Sequence, residues 1–203
     1  MTVKAHIGIA GLLFALAPSG FAGTPDGLDV LDSDELSRLQ AGEVITDVWH
    51  DKNRERGTID AFAAVEISAA PQQVWAVMTS CEKTLEVVRD MKSCAVLETS
   101  PDGAWDIREQ RFDAPFPLKD FRTLFRTDFT PFRQIAITEA GGDMKIQRAL
   151  WQITPLGDAR VRVTYRATVQ PKFPLPRFLL RRGVRKDTPD IMTALRDASE
   201  KLK

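Results

Sequence analysis

Histidine is almost missing from this chain: there are two among 203 residues, and one of them lies within the first six. His50, the other, sits in WHDKNR beside a turn, a place that suits solvent better than catalysis. His-based metal sites and Ser/His/Asp or Cys/His relays therefore lack their parts. Cysteine is as scarce. Cys81 and Cys94 show neither CxxC spacing nor a nearby His, which argues against a metal or redox site. They remain either two buried thiols or a disulfide stapling a short loop. Charge of one sign is also lacking, with 28 Lys+Arg against 28 Asp+Glu. A nucleic-acid partner or an acidic tail is not expected from such a balance. No Gly-rich phosphate loop, cofactor motif, internal repeat or low-complexity tract is present, so no cofactor is expected.

What the chain does have begins with MTVKAHIGIAGLLFALAPSGFAG. Lys4 precedes an apolar run from Ile7 to Ala17, and small residues follow at Gly20 and Ala22. That is the layout of a signal peptide cleaved after Ala22. The run falls short of the roughly 20 apolar residues of a membrane span, although an uncleaved anchor extending through Phe21 is the alternative. No lipoprotein-type Cys follows, so a soluble exported protein is expected, and an oxidising compartment would favour the disulfide.

After a polar lead-in, TPDGLDVL, Ser33 is placed to cap a short helix with Leu36 and Leu39 on one face and Gly42 at its end. EVITDVWHD and GTIDAFAAVEISA read as extended segments on either side of a charged turn, KNRERG. Pro71 opens a second helix with Val74, Trp75 and Met78 on its apolar side, and TLEVVRDM adds a further helical turn or two before the strand SCAVLET. From there AWDIREQRF, KDFRTLFRTDF, RQIAITEA, KIQRALWQI and ARVRVTYRATVQ alternate with PDG, PFP, TPF, GGD and PLGD, each holding Gly or Pro. Short connections imply antiparallel neighbours. The tail from Pro176 is helical, with Leu179, Val184, Ile191, Leu195 and Leu202 at helical spacing and a kink or junction expected at Pro189. A sheet with one apolar face needs a cover, and only this last helix is long enough. The expected class is α+β, a curved antiparallel sheet wrapped around a long C-terminal helix.

Within KDFRTLFRTDFT, Phe121, Thr123, Phe125, Thr127 and Phe129 share one face, opposite Arg122, Leu124, Arg126 and Asp128. Trp151 and Ile153, and then Val161, Val163, Tyr165, Ala167 and Val169, continue that inner face. Arg122, Arg126, Arg148, Arg160, Arg162 and Arg166 read as a solvated outside, with Asp106, Glu109 and Asp128 available as partners. The rings fill a core or line a cavity. Thr123, Thr127 and Tyr165 bring hydroxyls that need partners if buried, a mixture that suits a ligand pocket or backbone bonding. Glu109 and Arg111 fall on one strand face with Trp105 and Ile107; they are a buried pair in one phase, and exposed, with Phe112 inward, in the other.

This order of elements resembles the START-like helix-grip superfamily, also called the SRPBCC or polyketide-cyclase and coenzyme Q-binding-protein-like group. The residues that carry the resemblance are LSRLQAGEV, AAVEISAAPQQVWAVMTSCEKTLEVV, CAVLE, FPLKDFRTLFR, ALWQITPLGDARVRVTYRATVQP and PLPRFLL…TALRDAS. The loop Thr84 to Val88 departs from the aromatic or Pro-rich stretch usual there. The resemblance implies a helix-grip domain over residues 43–203, after a signal peptide (1–22) and an extension with a short helix (23–42). It further implies a periplasmic monomer holding an apolar molecule, a quinone, sterol-like compound or acyl lipid, between sheet and C-terminal helix. Phe121, Thr123, Phe125, Thr127, Phe129, Trp151 and Tyr165, with Glu109 and Arg111, are the candidate ligand-binding residues. Two alternatives stand beside a carrier: a cyclase or dehydratase-type enzyme using Glu109, Arg111 or Tyr165, and an envelope interaction module with a filled core.

KFPLPRFLLRRGVRK mixes cations with apolar residues, and Arg177, Phe178, Arg181 and Arg182 are candidates for transient contact with an anionic membrane. The competing reading makes Phe178 and Leu179 core and the charges the wet side of a helix.

Overall fold

The computed structural model describes residues 28–50, 57–113, 119–157 and 159–202. The expected leader and cleavage site, and the PFP connection, lie outside the described residues. The first helix, α1 (Ser33–Gln40), is capped by Asp32 rather than Ser33: Asp32 Oδ1 accepts from the Glu35 amide at 2.8 Å, and Glu35 Oε2 accepts from the Asp32 amide at 3.1 Å. This reciprocal box satisfies two end amides, and carboxylates suit the positive end of the helix.

Strands β1 (Ile45–Trp49) and β2 (Ile59–Ile67) precede two short helices, α2 (Pro71–Thr79) and α3 (Cys81–Val87). Six strands follow: β3 (Met91–Thr99), β4 (Trp105–Phe112), β5 (Phe121–Thr130), β6 (Gln134–Gly142), β7 (Met144–Gly157) and β8 (Arg160–Pro171). The chain ends in α4 (Arg177–Lys201). Among the described residues the eight strands form one antiparallel sheet in the order β1-β2-β8-β7-β6-β5-β4-β3. The meander returns β8 to β2, from Ile59 opposite Val169 to Ile67 opposite Val161, so the concave face is continuous. The expected helix-grip architecture is the one found.

α4 lies across that face. Met192 and Leu195 are buried with Ala63, Val65, Ile67, Val161 and Val163, and α2 adds Val74 and Val77. Each such side chain contributes roughly 1.5–3 kcal/mol by leaving water. α4 runs through Pro189 as one element, because its second half is held by this packing while Pro removes only one amide.

All nine residues of β2 are buried, because the other face of this strand is covered too. Leu39 of α1 packs there with Ile45, Phe62 and Ala64. That cover corrects the expectation of a solvated arginine face. Arg162 is buried, its Nη2 2.7 Å from Glu66 Oε1, and Arg166 pairs with Asp29 beside the Phe62 ring. Farther along the sheet the exterior is as expected: Arg126 lies 2.7 Å from Asp128 and stacks over Trp105 at 4.3 Å.

Candidate functional site: a cavity between sheet and helix

α4 packs on β1 and β2 through both halves, Leu180 and Val184 against Val48, Ile59 and Ala61 as Met192 and Leu195 are against Val65 and Ile67, and between it and the middle strands of the sheet lies a cavity of about 730 Å³. That volume is in the range of small-molecule sites. Curvature is built into the middle strands. β5 and β6 shift register between Leu124 and Phe125, and β7 and β8 between Ile146 and Arg148; such bulges bend and twist a sheet. Gly142 on β6, at φ +81°, sits where a Cβ would come within 2.4 Å of the Arg122 carbonyl oxygen, so this close approach requires glycine.

Phe121, Thr123, Phe125 and Thr127 of the ring row face the cavity, joined by Trp151 and Tyr165, whose rings lie 4.3 Å apart. The filled-core reading therefore does not hold. Phe129 is the exception: it lies outside the wall, edge-on to Trp75 of α2 at 5.8 Å, where it helps close one end. It keeps the inward face of β5 but falls beyond the void along the strand.

β4 supplies the residues that the ring row led us to miss. Its inward face carries Arg108, Gln110 and Phe112 at the cavity and Asp106 next to them, opposite Phe125, Thr123, Phe121 and Thr127 respectively on β5. Glu109 and Arg111 point outward, which corrects their placement as ligand contacts. Glu109 accepts from Arg111 Nε at 2.9 Å and from Arg122 Nη1 at 3.0 Å on the solvent side. These two guanidiniums, Arg111 first, hold its carboxyl below the usual range. Asp106 likewise belongs inside and not among the outer partners. The one signal for this phase was Phe112, two residues beyond Gln110.

Arg108 is 6% exposed and Asp106 4%. Arg108 Nε donates to both Asp106 oxygens and Nη2 to Oδ2 at 2.7 Å and to the Thr79 carbonyl at 2.8 Å. The hydroxyls of Thr123 and Thr127 are buried and make no hydrogen bond. Burial pushes the Tyr165 phenol up to about 12. The apolar cavity thus has a polar strip along β4 and β5 with unfilled hydrogen-bonding capacity.

The mouth lies between the end of α3, the following turn and the first half of α4. Val87, Val88, Asp90 and Met91 form one rim, and Leu179, Arg182 and Lys186 are among those on the other. Arg89 spans it to Asp190 at 3.6 Å. Asp187 has its pKa raised, by burial first and by Asp90 and Asp190 next, against the lowering pull of Lys186 and Arg89. Cys81 and Cys94 are disulfide-bonded, Cα atoms 5.3 Å apart, which ties α3 to β3 beside this rim. Phe178 is 70% exposed and Arg181 and Arg182 are exposed, so these three are not core; the Arg177 side chain lies outside what is described. His50 is half-buried away from the cavity, its Nδ1 2.9 Å from the Thr58 carbonyl.

A sequence profile described as polyketide cyclase / dehydrase and lipid transport matches residues 67–196, more than half of the chain, from the end of β2 into α4. The chain belongs to that family. Solved structures agree on the fold of this family member. A STAR-related lipid transfer protein fragment from Xanthomonas axonopodis superposes with TM-score 0.62 at 17% identity, over 78% of this chain and 94% of its own. Human STARD10 gives 0.63 at 14%, over 85% and 81%. The Zhui aromatase/cyclase from Streptomyces sp. R1128 gives 0.59 at 14%, over 70% and 94%. No curated protein matches the chain by sequence. Family membership supports hydrophobic-ligand binding, while the reaction or cargo has to be argued from the site.

Proposed function

We propose that the protein is a non-enzymatic carrier that shelters one apolar molecule with an uncharged polar end. The carrying observation is the 730 Å³ cavity, walled by Phe121, Phe125, Trp151 and Tyr165, in which the Thr123 and Thr127 hydroxyls lie buried without partners. A ligand carbonyl, quinone oxygen or hydroxyl would supply what those groups lack, and Gln110 faces the same space. A carboxylate fits less well. The charge of Arg108 is already matched by Asp106, and a second anion in this low-dielectric space would be left unpaired. Quinones, sterol-like compounds and neutral acyl lipids meet these terms.

The enzyme alternative loses Glu109 and Arg111, which face solvent. Tyr165 remains inside, but a phenol pushed up to about 12 makes a poor base near neutral pH. An exported location is supported by the layout of residues 1–22 and agrees with the paired cysteines.

Native mass spectrometry of the protein purified from its own envelope, followed by organic extraction, tests the reading. A single apolar compound at one per chain is expected. A protein that stays bare after incubation with envelope lipid extract overturns it.

A further inference from the structure

The chain balances 28 basic against 28 acidic residues, yet its pairing is uneven. Arg38, Lys92, Arg108, Arg122, Arg126, Arg162 and others each meet a carboxylate. Arg181, Arg182, Arg185 and Lys186 are all exposed, form no ion pair within 4 Å among the described residues, and fall within six positions of α4; the one carboxylate felt among them is Asp187, beside Lys186. With Phe178 they line a shallow, open depression on the surface. Phe178 is 70% exposed and Leu179 37%, and the first turn of α4 has no acidic residue to offset the positive end of the helix. Arg182 and Lys186 belong to this patch and to the rim of the main cavity at once.

We propose that the first half of α4 is a docking surface for an anionic phospholipid bilayer. The four cations meet the headgroup phosphates, Phe178 enters the interface, and the cavity mouth is thereby set against the membrane. Charge complementarity selects this occupant: exposed aromatic and aliphatic groups among cations that outnumber the neighbouring carboxylate four to one suit an anionic interface. The purpose of docking rests on the carrier reading, but docking itself needs no cargo. A failure here would leave the cavity assignment standing, and an empty cavity would leave docking standing.

The test is flotation or co-sedimentation of the full chain with vesicles of phosphatidylcholine alone and of phosphatidylcholine with 30% phosphatidylglycerol, across a salt series. Binding to the anionic vesicles only, weakening as salt rises, is the expected result. Each cation removed should lower partitioning about fivefold. Arg181→Gln with Arg185→Gln should thus lose about 25-fold while melting like the parent, since both side chains are exposed. Phe178→Ala should weaken binding at every salt concentration. Equal binding to both vesicle types, no effect of the double variant, or no vesicle binding at low salt overturns the proposal, the last pointing instead to an acidic protein partner.

Discussion

Arg108 grips Asp106 two residues away on the same strand, with Nε 2.9 Å and Nη2 2.7 Å from one carboxylate oxygen, and both side chains are more than nine-tenths buried. Residues i and i+2 share a strand face, so β4 brings its own counter-ion into the wall, and the one hydrogen bond Arg108 takes from another element is to the neutral Thr79 carbonyl of α2. Truncating one member leaves the other charge buried and unmatched. Asp106→Asn should cost about 3–5 kcal/mol of unfolding free energy by chemical denaturation. Replacing both, with Asp106→Leu and Arg108→Met, should recover most of that loss while weakening selection for ligands with a polar end. A destabilisation below about 1 kcal/mol in Asp106→Asn would mean that water reaches the pair freely.

Thr123 and Thr127 differ from that pair in having nothing to bond. A buried hydroxyl without a partner costs about 1–3 kcal/mol, and valine has nearly the same shape. Thr123→Val and Thr127→Val should therefore leave the empty protein as stable as the parent or up to about 1 kcal/mol more stable, yet lower ligand affinity roughly tenfold each. Measuring the melting temperature with and without the extracted ligand separates the two effects. Loss of stability with unchanged ligand binding would show the hydroxyls to be structural.

How legible this site was depended on contrast between strand faces. β5 sets Phe, Thr, Phe, Thr, Phe against Arg, Leu, Arg and Asp, so its phase could be read directly. β4 has no such contrast. Its inward face is Asp106, Arg108, Gln110 and Phe112, three of them polar although the last three line the cavity, while its outward Trp105 is shielded by the Arg126 guanidinium. A test for an apolar inside therefore had no answer there, and Glu109 with Arg111 looked as eligible as Arg108. The burial of Arg162 had a visible sign that went unused: AFAAV in β2 is apolar on both faces, the mark of a strand covered twice. Sequence reading also cannot say where along a strand a void ends, which is why Phe129 was grouped with Phe125.

The Cys81–Cys94 bridge closes a loop with a sequence separation of 13. A loop of that length is worth about 3 kcal/mol through the unfolded chain. Cys81→Ser with Cys94→Ser should lower unfolding free energy by about 2–3 kcal/mol in denaturant titrations. Thr84, Val87 and Val88 of the tethered segment line the cavity, so the double variant should also release its ligand faster. Unchanged release kinetics would place the ligand's exit elsewhere than this rim.

Tyr165 is the one tyrosine in the chain, so its ionisation can be followed without ambiguity. An ordinary phenol titrates near 10, and burial pushes this one up to about 12. The neutral form is thus preferred in the folded state. Below pH 10 both folded and unfolded phenols are protonated, and the contribution to stability is fully present. As pH rises from about 10 to about 12, the unfolded phenol ionises while the folded one resists, and stability falls by up to roughly 2–3 kcal/mol. Tyr165→Phe should remove that alkaline slope and leave the neutral-pH melting temperature within about 2 °C of the parent. Because the ring lines the cavity, an apolar ligand displaces water from beside it and strengthens the desolvation that raises its pKa. Absorbance titration at the tyrosinate band should therefore give a higher midpoint with ligand than without. Equal midpoints for loaded and empty protein would place the ligand away from Tyr165 and the neighbouring Trp151 ring.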